Sequence, residues 1–504
     1  MASSLSIRPF PQAIVAKAVP SRIFLLGLSA FGVCLVALSL LFYTLPFHYD
    51  SFFFGLNAPG MHQFQRHLGL EGIHSWPFRW FSRAFRTLVV LLWASYALFV
   101  LAALRGKTLT ARPLTLLIAG AAVAVALFMP PLLSTDSYAN VSHGRLFVLY
   151  GQNPYVFGPE ALAHGSDPVA RFLTWDAPTI YGPLWTWMEI GVVALLKHSG
   201  VWTQVLAMKL LAAGALVLTA LAGRSITARL APGRENVTLL AIGLNPMLLL
   251  EGPGSGHNDL VCFAFLLWGA ALFFRRKYLV AALCLGLSVS IKPVTLALLP
   301  WALLEYARLE HGRSWRQMLG ALAAAPLLVL LPLVLFFVPF WAGPATLASA
   351  QLRMSYGQGA AYVAQAASLH SWFAAHGLGL GLGSLLTSLI QNWMLVLLYA
   401  ALTVWLWRAP RLGGWLLAWA VFSVGVMFLF LKPPFPWYVT WFWPICLLRW
   451  DRLHLSLSAA CLCLSLLMTF GYGDISDIGS RPPQYWIKIV PTPHGASISF
   501  APKI

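Results

Sequence analysis

The sequence predicts an all-α, polytopic membrane protein of about 13 transmembrane helices. Three observations carry that expectation. Of 504 residues, 59% are hydrophobic and only 10% charged, against about 25% charged in a soluble domain. Apolar runs of roughly 20 residues, long enough to cross a bilayer, recur along the chain, and the mean hydropathy is +0.75. The Lys and Arg residues sit in short loops between those runs and give a net charge of +18. That placement is the pattern of loops retained on the cytoplasmic side, not a nucleic-acid surface, so no nucleic acid is expected as a partner. The continuous runs also exclude an outer-membrane barrel, whose strands alternate in short segments.

Met1–Pro20 carries Arg8 and Lys17. The following run, Ile23–Leu45, is too long for a signal peptide's apolar core, and no small-residue cleavage site follows it. It is expected to be the first span, with a cytoplasmic N-terminus. His48–Arg86 is then an outer loop, and Arg79, Arg83 and Arg86 fit there as part of an amphipathic segment in the headgroups. Thr87–Leu104 is the second span, Arg105, Lys107 and Arg112 mark an inner loop, and Pro113–Leu133 runs outward again.

The outer loop that follows, Ser134–Pro183, holds four of the chain's 15 acidic residues: Asp136, Glu160, Asp167 and Asp176. It is rich in the Tyr, Trp, Asn and His side chains that grip sugars. Ser137–Tyr150 is expected to lie along the membrane surface, with Ala139, Leu146 and Phe147 facing lipid and Asn140 and His143 facing water. Pro154 and Pro159 end that helix. Leu184–Leu196 is short, about 20 Å as a helix against a core of roughly 30 Å. Taken as half-inserted, it places the basic loop Arg224, Arg229 and Arg234 inside, after the full span Val201–Leu221.

Alternation then works to the end of the chain. Val237–Leu250 runs outward to His257-Asn258-Asp259, and Leu260–Phe274 returns to Arg275-Arg276-Lys277. Tyr278–Ile291 runs out to Lys292, and Val294–Leu304 comes back to Arg308, Arg313 and Arg316. Leu319–Phe340 leads out to the loop Trp341–Asn392, and Trp393–Trp407 returns to Arg408 and Arg411. Gly414–Leu431 leads out to Lys432 and the aromatic stretch Phe435–Tyr438, and Val439–Leu448 returns to Arg449 and Arg452. Leu455–Phe470 ends in an outer tail, Gly471–Ile504. The chain is expected to form one integral domain. Residues 1–112 add two N-terminal spans, residues 113–340 form the catalytic module, and residues 341–504 supply further spans and the tail. All six cysteines fall in apolar runs, so no disulfide framework is expected.

On this topology several polar clusters meet at the outer face, where ionisable groups at the edge of lipid are candidates for function. Asp136 suits a general base, or it caps a helix. His257 and Asp259, behind the break Gly-Pro-Gly-Ser-Gly, can hydrogen-bond a hydroxyl or phosphate or contribute to a metal site. Asn258 can equally serve as a cap. Lys292 and Lys432 either face a phosphate or snorkel to the interface. Trp437, Tyr438 and Trp441 either stack on a sugar or form an interfacial belt. The chain has no phosphate-binding Gly-rich loop, nucleophile elbow, His-Glu-x-x-His motif or cytosolic nucleotide domain. Energy for a transfer must therefore arrive in an activated, membrane-resident substrate.

The order of Asp136, Gly144–Tyr155, Phe157-Gly158-Pro159, Tyr181-Gly182-Pro183, Asn245-Pro246, His257-Asn258-Asp259, Ile291-Lys292-Pro293 and Pro436-Trp437-Tyr438 resembles the multi-spanning C-type glycosyltransferases that use polyprenyl-phosphate sugars. Among these it is most similar to the bacterial polyprenyl-phosphate-mannose-dependent α-1,6-mannosyltransferases. The resemblance covers roughly residues 113–450.

It implies a C-type fold with interfacial helices in the loop 134–183 and a plasma-membrane location with the active site extracytoplasmic. It further implies a polyprenyl-phosphate sugar as donor and a glycan or glycolipid as acceptor. Asp136 matches the family's catalytic acid and is implied to act as general base in one inverting displacement. Lys292 and Arg145 match positions able to hold the phosphate, and His257 and Asp259 match a motif for sugar or acceptor recognition. His143, Tyr155, Tyr181, Trp437 and Tyr438 complete the expected donor- and acceptor-binding set. No cofactor is required by the resemblance. A divalent cation stays open, but Ser137 stands where the family often has a second acid, which weakens a metal-based mechanism. Membrane lipids are expected partners throughout. A transporter or flippase of a lipid-linked saccharide, or a non-catalytic scaffold, remains as an alternative, although the clusters gather at one face and no internal repeat is evident.

Overall fold

The computed structural model describes residues 21–43, 78–106, 109–129, 131, 134, 136–162, 166–170, 173, 175–176, 178–310, 315–344, 346, 380–429, 436–471, 485–492 and 495–502. Lys432, Phe435 and most of the loop 341–392 lie outside these.

The protein is a bundle of helices. α1 (Arg22–Tyr43) and α2 (Phe78–Arg105) pack together as an N-terminal pair, followed by α3 (Ala111–Phe128) and α4 (Asp136–Tyr150). Next come α5 (Pro183–Leu195), the 30-residue α6 (Val201–Leu230), α7 (Glu235–Gly243) and α8 (Pro246–Leu249). α9 (Asp259–Phe274), α10 (Tyr278–Val289), α11 (Leu299–Leu309) and α12 (Trp315–Phe337) complete the central part. α13 (Leu380–Arg408), α14 (Gly414–Leu429), α15 (Trp443–Cys446) and α16 (Arg452–Gly471) follow. α6 is the central strut, packing on α3, α7 and α9, while α9 leads through α10 to α12.

Among the described residues five helices are long and apolar enough to cross a membrane: α1, α2, α3, α6 and α12. The pair α7 and α8 makes a sixth if it is one span bent by 49°. The bend has a local cause. Asn245 caps α8 by accepting hydrogen bonds from the Met247 and Leu248 amides, and Pro246, with no N–H to give, starts the new helix. α5, α9, α10 and α14 are apolar but run 12–16 residues, short of the roughly 20 that cross a bilayer untilted. The expected span Val439–Leu448 is not a helix of that kind. A 3₁₀ turn over Pro436–Trp441 and the four-residue α15 replace it, because Pro436 and Pro444 interrupt the run.

Two further differences from expectation matter. The helix expected along the membrane surface is present as α4, but Tyr138, Asn140, Val141, His143 and Arg145 are all buried. α4 is packed inside the protein and presents no wet face. Gly144 explains the close fit, since a Cβ there would lie 2.5 Å from the Glu189 carbonyl oxygen of α5. Among the described residues the regular structure is helical but for one small sheet. β1 (Trp175–Asp176), β2 (Tyr485–Thr492) and β3 (Gly495–Pro502) form a small sheet, ordered β1-β2-β3, joining the opening loop to the C-terminal tail.

The two ends of the bundle differ in charge. Five arginines gather at one end: Arg234 donates to the Leu104 carbonyl, Arg275 to Ser225 and Arg308 to the Trp407 carbonyl, and Arg411 and Arg449 line one crevice. The N-terminus of α9 lies at the other end, about 24 Å away by helix rise.

Candidate functional site

That other end gathers the breaks in the helices. α4 begins at Asp136, with Ser134 Oγ accepting from the Asp136 amide at 3.0 Å and donating to Oδ1 at 2.8 Å. α5 begins behind Gly182-Pro183. The Gly182 amide donates to the Ile291 carbonyl at 2.9 Å and the Leu184 amide to that of Ser290 at 3.0 Å. A Cβ on Gly182 would fall 2.3 Å from the Ser290 oxygen, so only glycine lets α5 dock here. This docking sets Tyr181 beside Lys292. Beyond α8 a wide π turn, Leu250–Gly254, leads to Gly256 at φ +77, a conformation glycine adopts freely. A Cβ at Gly256 would sit 3.0 Å from Ser137 and 3.2 Å from Lys209. The loop thus lies tight against α4 and α6, and His257 is carried to Asp136.

The resulting cluster joins seven expected residues. Tyr181 donates its hydroxyl to Asp136 Oδ2 at 2.8 Å, and His257 Nε2 lies 3.8 Å from the same oxygen. The His257 ring packs at a tilt of 56° against Trp437, 4.2 Å between centroids. Lys292 Nζ donates to Asp259 Oδ1 at 2.5 Å, and its ammonium stands 5.7 Å and 5.9 Å from the ring centroids of Tyr181 and Tyr438. The Asp136 side chain is 30% exposed, whereas Asp259 and His257 are buried. The carboxylate thus faces an accessible space from a buried polar wall.

Burial lowers the proton affinity of His257 below its ordinary value, despite the opposing pull of Asp136 and Asp259; Lys292 adds to the lowering. Burial, and then the Asp136 charge, hold the Tyr181 hydroxyl well above its usual range. Tyr181 therefore stays protonated and donates.

Three expected residues are placed elsewhere. Arg145 is spent on a buried ion pair: Nε and Nη2 donate to Asp167 at 2.9–3.0 Å, and Nη1 donates to Gln204 at 3.1 Å. It is not available to hold a phosphate. His143 pairs with the buried Glu189, 3.5 Å from Nδ1. The Tyr155 hydroxyl donates to the Tyr181 carbonyl at 2.9 Å, and its ring packs on Phe337 and Phe340, so it braces the loop behind Tyr181.

Two residues of the cluster were missed. Trp441 donates its indole N–H to Asp259 and stands 5.5 Å from the Lys292 ammonium; the sequence offers it for sugar stacking or an interfacial belt, not as a partner of Asp259. Glu251, fully buried, faces His257 Nδ1 at 3.4 Å. It sits at the end of an apolar run with nothing in its neighbours to mark it. Among the described residues no group of three or more His, Cys, Asp or Glu side chains is arranged to hold a metal ion.

A helical membrane protein with an acid-centred polar site at a helix-break layer is the class that the motifs resemble. The comparisons narrow the resemblance. The family model for the N-terminal domain of α-(1→6)-mannopyranosyltransferases matches residues 65–308, a stretch that holds Asp136, Tyr181, Glu251, His257, Asp259 and Lys292. The chain is 26% identical over 337 residues to α-(1→6)-mannopyranosyltransferase A of Mycobacterium tuberculosis, covering 62% of this chain and 60% of the relative. It is 29% identical over 161 residues to α-(1→6)-mannopyranosyltransferase B of Corynebacterium glutamicum, covering 31% and 26%. The chain thus matches no more than about three-fifths of the length of these relatives. No solved structure matches.

Proposed function

We propose that this protein is a membrane glycosyltransferase that moves mannose from a polyprenyl phosphate to a glycan or glycolipid acceptor. The observation that carries the reading is the convergence of Asp136, Tyr181, His257, Asp259 and Lys292 at the end of the bundle opposite the arginines, within the stretch similar to α-(1→6)-mannopyranosyltransferases. Retention of positive loops in the cytoplasm makes the arginine end cytosolic. The site then opens on the extracytoplasmic side of the plasma membrane, with the shorter helices accommodated by local thinning of the bilayer or by packing among longer neighbours in a polytopic C-type arrangement.

The acceptor hydroxyl binds the exposed edge of Asp136. As its oxygen attacks C1 of the sugar, the C1–O bond to phosphate breaks, and polyprenyl phosphate leaves with the electron pair. The hydroxyl proton passes to Asp136. A single displacement from the face opposite the leaving group inverts C1, so a β-linked donor yields an α-linked product. Lys292 has two further N–H donors beyond the one given to Asp259, and these face the leaving phosphate. Trp437 and Tyr438 offer apolar faces to the sugar ring.

The test uses protein purified in detergent with polyprenyl-phosphate-mannose and a mannoside acceptor. Product formation without a second compartment supports an enzyme. Its absence, with movement of the lipid across vesicles instead, overturns the reading in favour of a flippase.

A further inference from the structure

We infer that Glu251 is a positioning residue that makes His257 a proton relay for Asp136; this rests on Asp136 acting as the base. His257 stands between two carboxylates. Nε2 is 3.8 Å from Asp136 Oδ2, and Nδ1 is 3.4 Å from Glu251 Oε2. Glu251 is fully buried, and neither of its carboxylate oxygens makes a hydrogen bond. Neither ring nitrogen of His257 makes one either. A buried acid left so poorly satisfied costs stability that an apolar residue of the same size would not. Its one evident use is toward the imidazole it faces.

Other titratable groups surround the pair. Asp259 and Lys292 face His257 from α9 and from the turn after α10. Tyr181 donates to the same Asp136 oxygen, Oδ2, that His257 Nε2 approaches. Lys209 of α6, behind Gly256, donates from Nζ to the Met129 carbonyl. In the relay inferred here Glu251 accepts Nδ1–H, and the Nε2 lone pair is aimed at Asp136.

After mannosyl transfer Asp136 holds the acceptor's proton. That proton passes to Nε2 as Nδ1–H passes to Glu251 Oε2, and Asp136 is a carboxylate again. When the product has left, the proton returns by the same path to solvent. No oxidant, metal or second substrate is needed for this step.

The experiment compares Glu251→Gln, Glu251→Asp, His257→Gln and the double variant Glu251→Gln/His257→Gln in purified protein, with polyprenyl-phosphate-mannose, a mannoside acceptor and full pH profiles. Glu251→Gln is expected to lower kcat by about 10–100-fold and to move the acid limb of kcat/KM to lower pH, because the imidazole loses its neighbouring carboxylate. Glu251→Asp recovers part of kcat. The double variant is no slower than His257→Gln alone, since Glu251 acts only through the imidazole. A wild-type pH profile in Glu251→Gln, or losses that multiply in the double variant, overturns the relay. If Glu251→Gln does not fold, His257→Gln and Glu251→Asp carry the same comparison. No turnover by the wild type sinks the transferase reading itself, whereas wild-type turnover with an unmoved Glu251→Gln profile sinks the relay alone.

Discussion

Replacing Asp136 by Asn separates catalysis from folding better than any other single change here. The substitution keeps size and one carbonyl oxygen. Of the two hydrogen bonds that Asp136 accepts, from Ser134 and Tyr181 at 2.8 Å each, one survives in either orientation of the amide. The lost bond costs about 1 kcal/mol, small beside a typical stability of about 5–15 kcal/mol. The side chain is already 30% exposed, so the amide meets water rather than a dry cavity. A general base, by contrast, is worth about 10²–10⁴ in rate, or about 2.7–5.5 kcal/mol at 1.36 kcal/mol per tenfold. Radiolabelled polyprenyl-phosphate-mannose and a mannoside acceptor give the initial rate, and a thermal melt of the same preparation gives stability. The expected result is a melt close to wild type with transfer down at least 100-fold. Turnover within about threefold of wild type would remove Asp136 from the chemistry.

Other outcomes test the rest of the site. Lys292→Met leaves Asp259, 1% exposed, with its charge uncompensated, and should destabilise by about 3–5 kcal/mol. Lys292→Met/Asp259→Asn should recover the melting temperature but keep a donor KM at least tenfold above wild type, measured by donor titration. Arg145→Met strands the buried Asp167 in the same way and should cost about 3–5 kcal/mol, while kcat of the folded fraction stays near wild type because Arg145 is not at the reacting atoms. Gly182→Ala drives a Cβ against the Ser290 oxygen; such overpacking costs about 1–3 kcal/mol and should lower kcat/KM by shifting Tyr181 from Asp136. Folding holds the proton affinity of His257 below its unfolded value of 6.5, so the unfolded chain binds the proton more readily. Stability from this group is present above pH 6.5 and is lost as pH falls toward the folded value. Melts from pH 7.5 to 5 should therefore drop in wild type and drop less in His257→Gln.

Much of the site was legible because chemistry-bearing residues interrupt apolar sequence. Asp136, His257, Asp259 and Lys292 each stand at the end of a run, and chain alternation alone put them on one face. The structure brings them within contact of one another. Breaks in sequence thus marked breaks in helices. The residues of α4 were harder. Asn140 and His143 read as a wet face, and Arg145 as a phosphate ligand, because they are polar at helical spacing, but that periodicity does not distinguish water or ligand from a buried polar partner. Their partners, Trp185, Glu189 and Asp167, are 22–46 positions away. Glu251 was hidden for the opposite reason. It follows Leu248, Leu249 and Leu250, and only the wide turn ahead of Pro253 aims it at His257. The expected span Val439–Leu448 had the right composition, but Pro436 before it and Pro444 within it broke it into short pieces buried beside the site. Length and hydropathy set the class of protein; which short helices cross the bilayer depends on packing that composition does not carry.

The most direct measurement is a structure of the protein with polyprenyl-phosphate-mannose bound in a lipid nanodisc. The account predicts the phosphate within hydrogen-bond distance of Lys292 Nζ, the sugar between Trp437 and Asp136, and the prenyl chain leaving into the leaflet on the side away from the arginines. A donor phosphate held by Arg275, Arg308 or Arg411 at the basic end, with Asp136 facing no ligand, would contradict it.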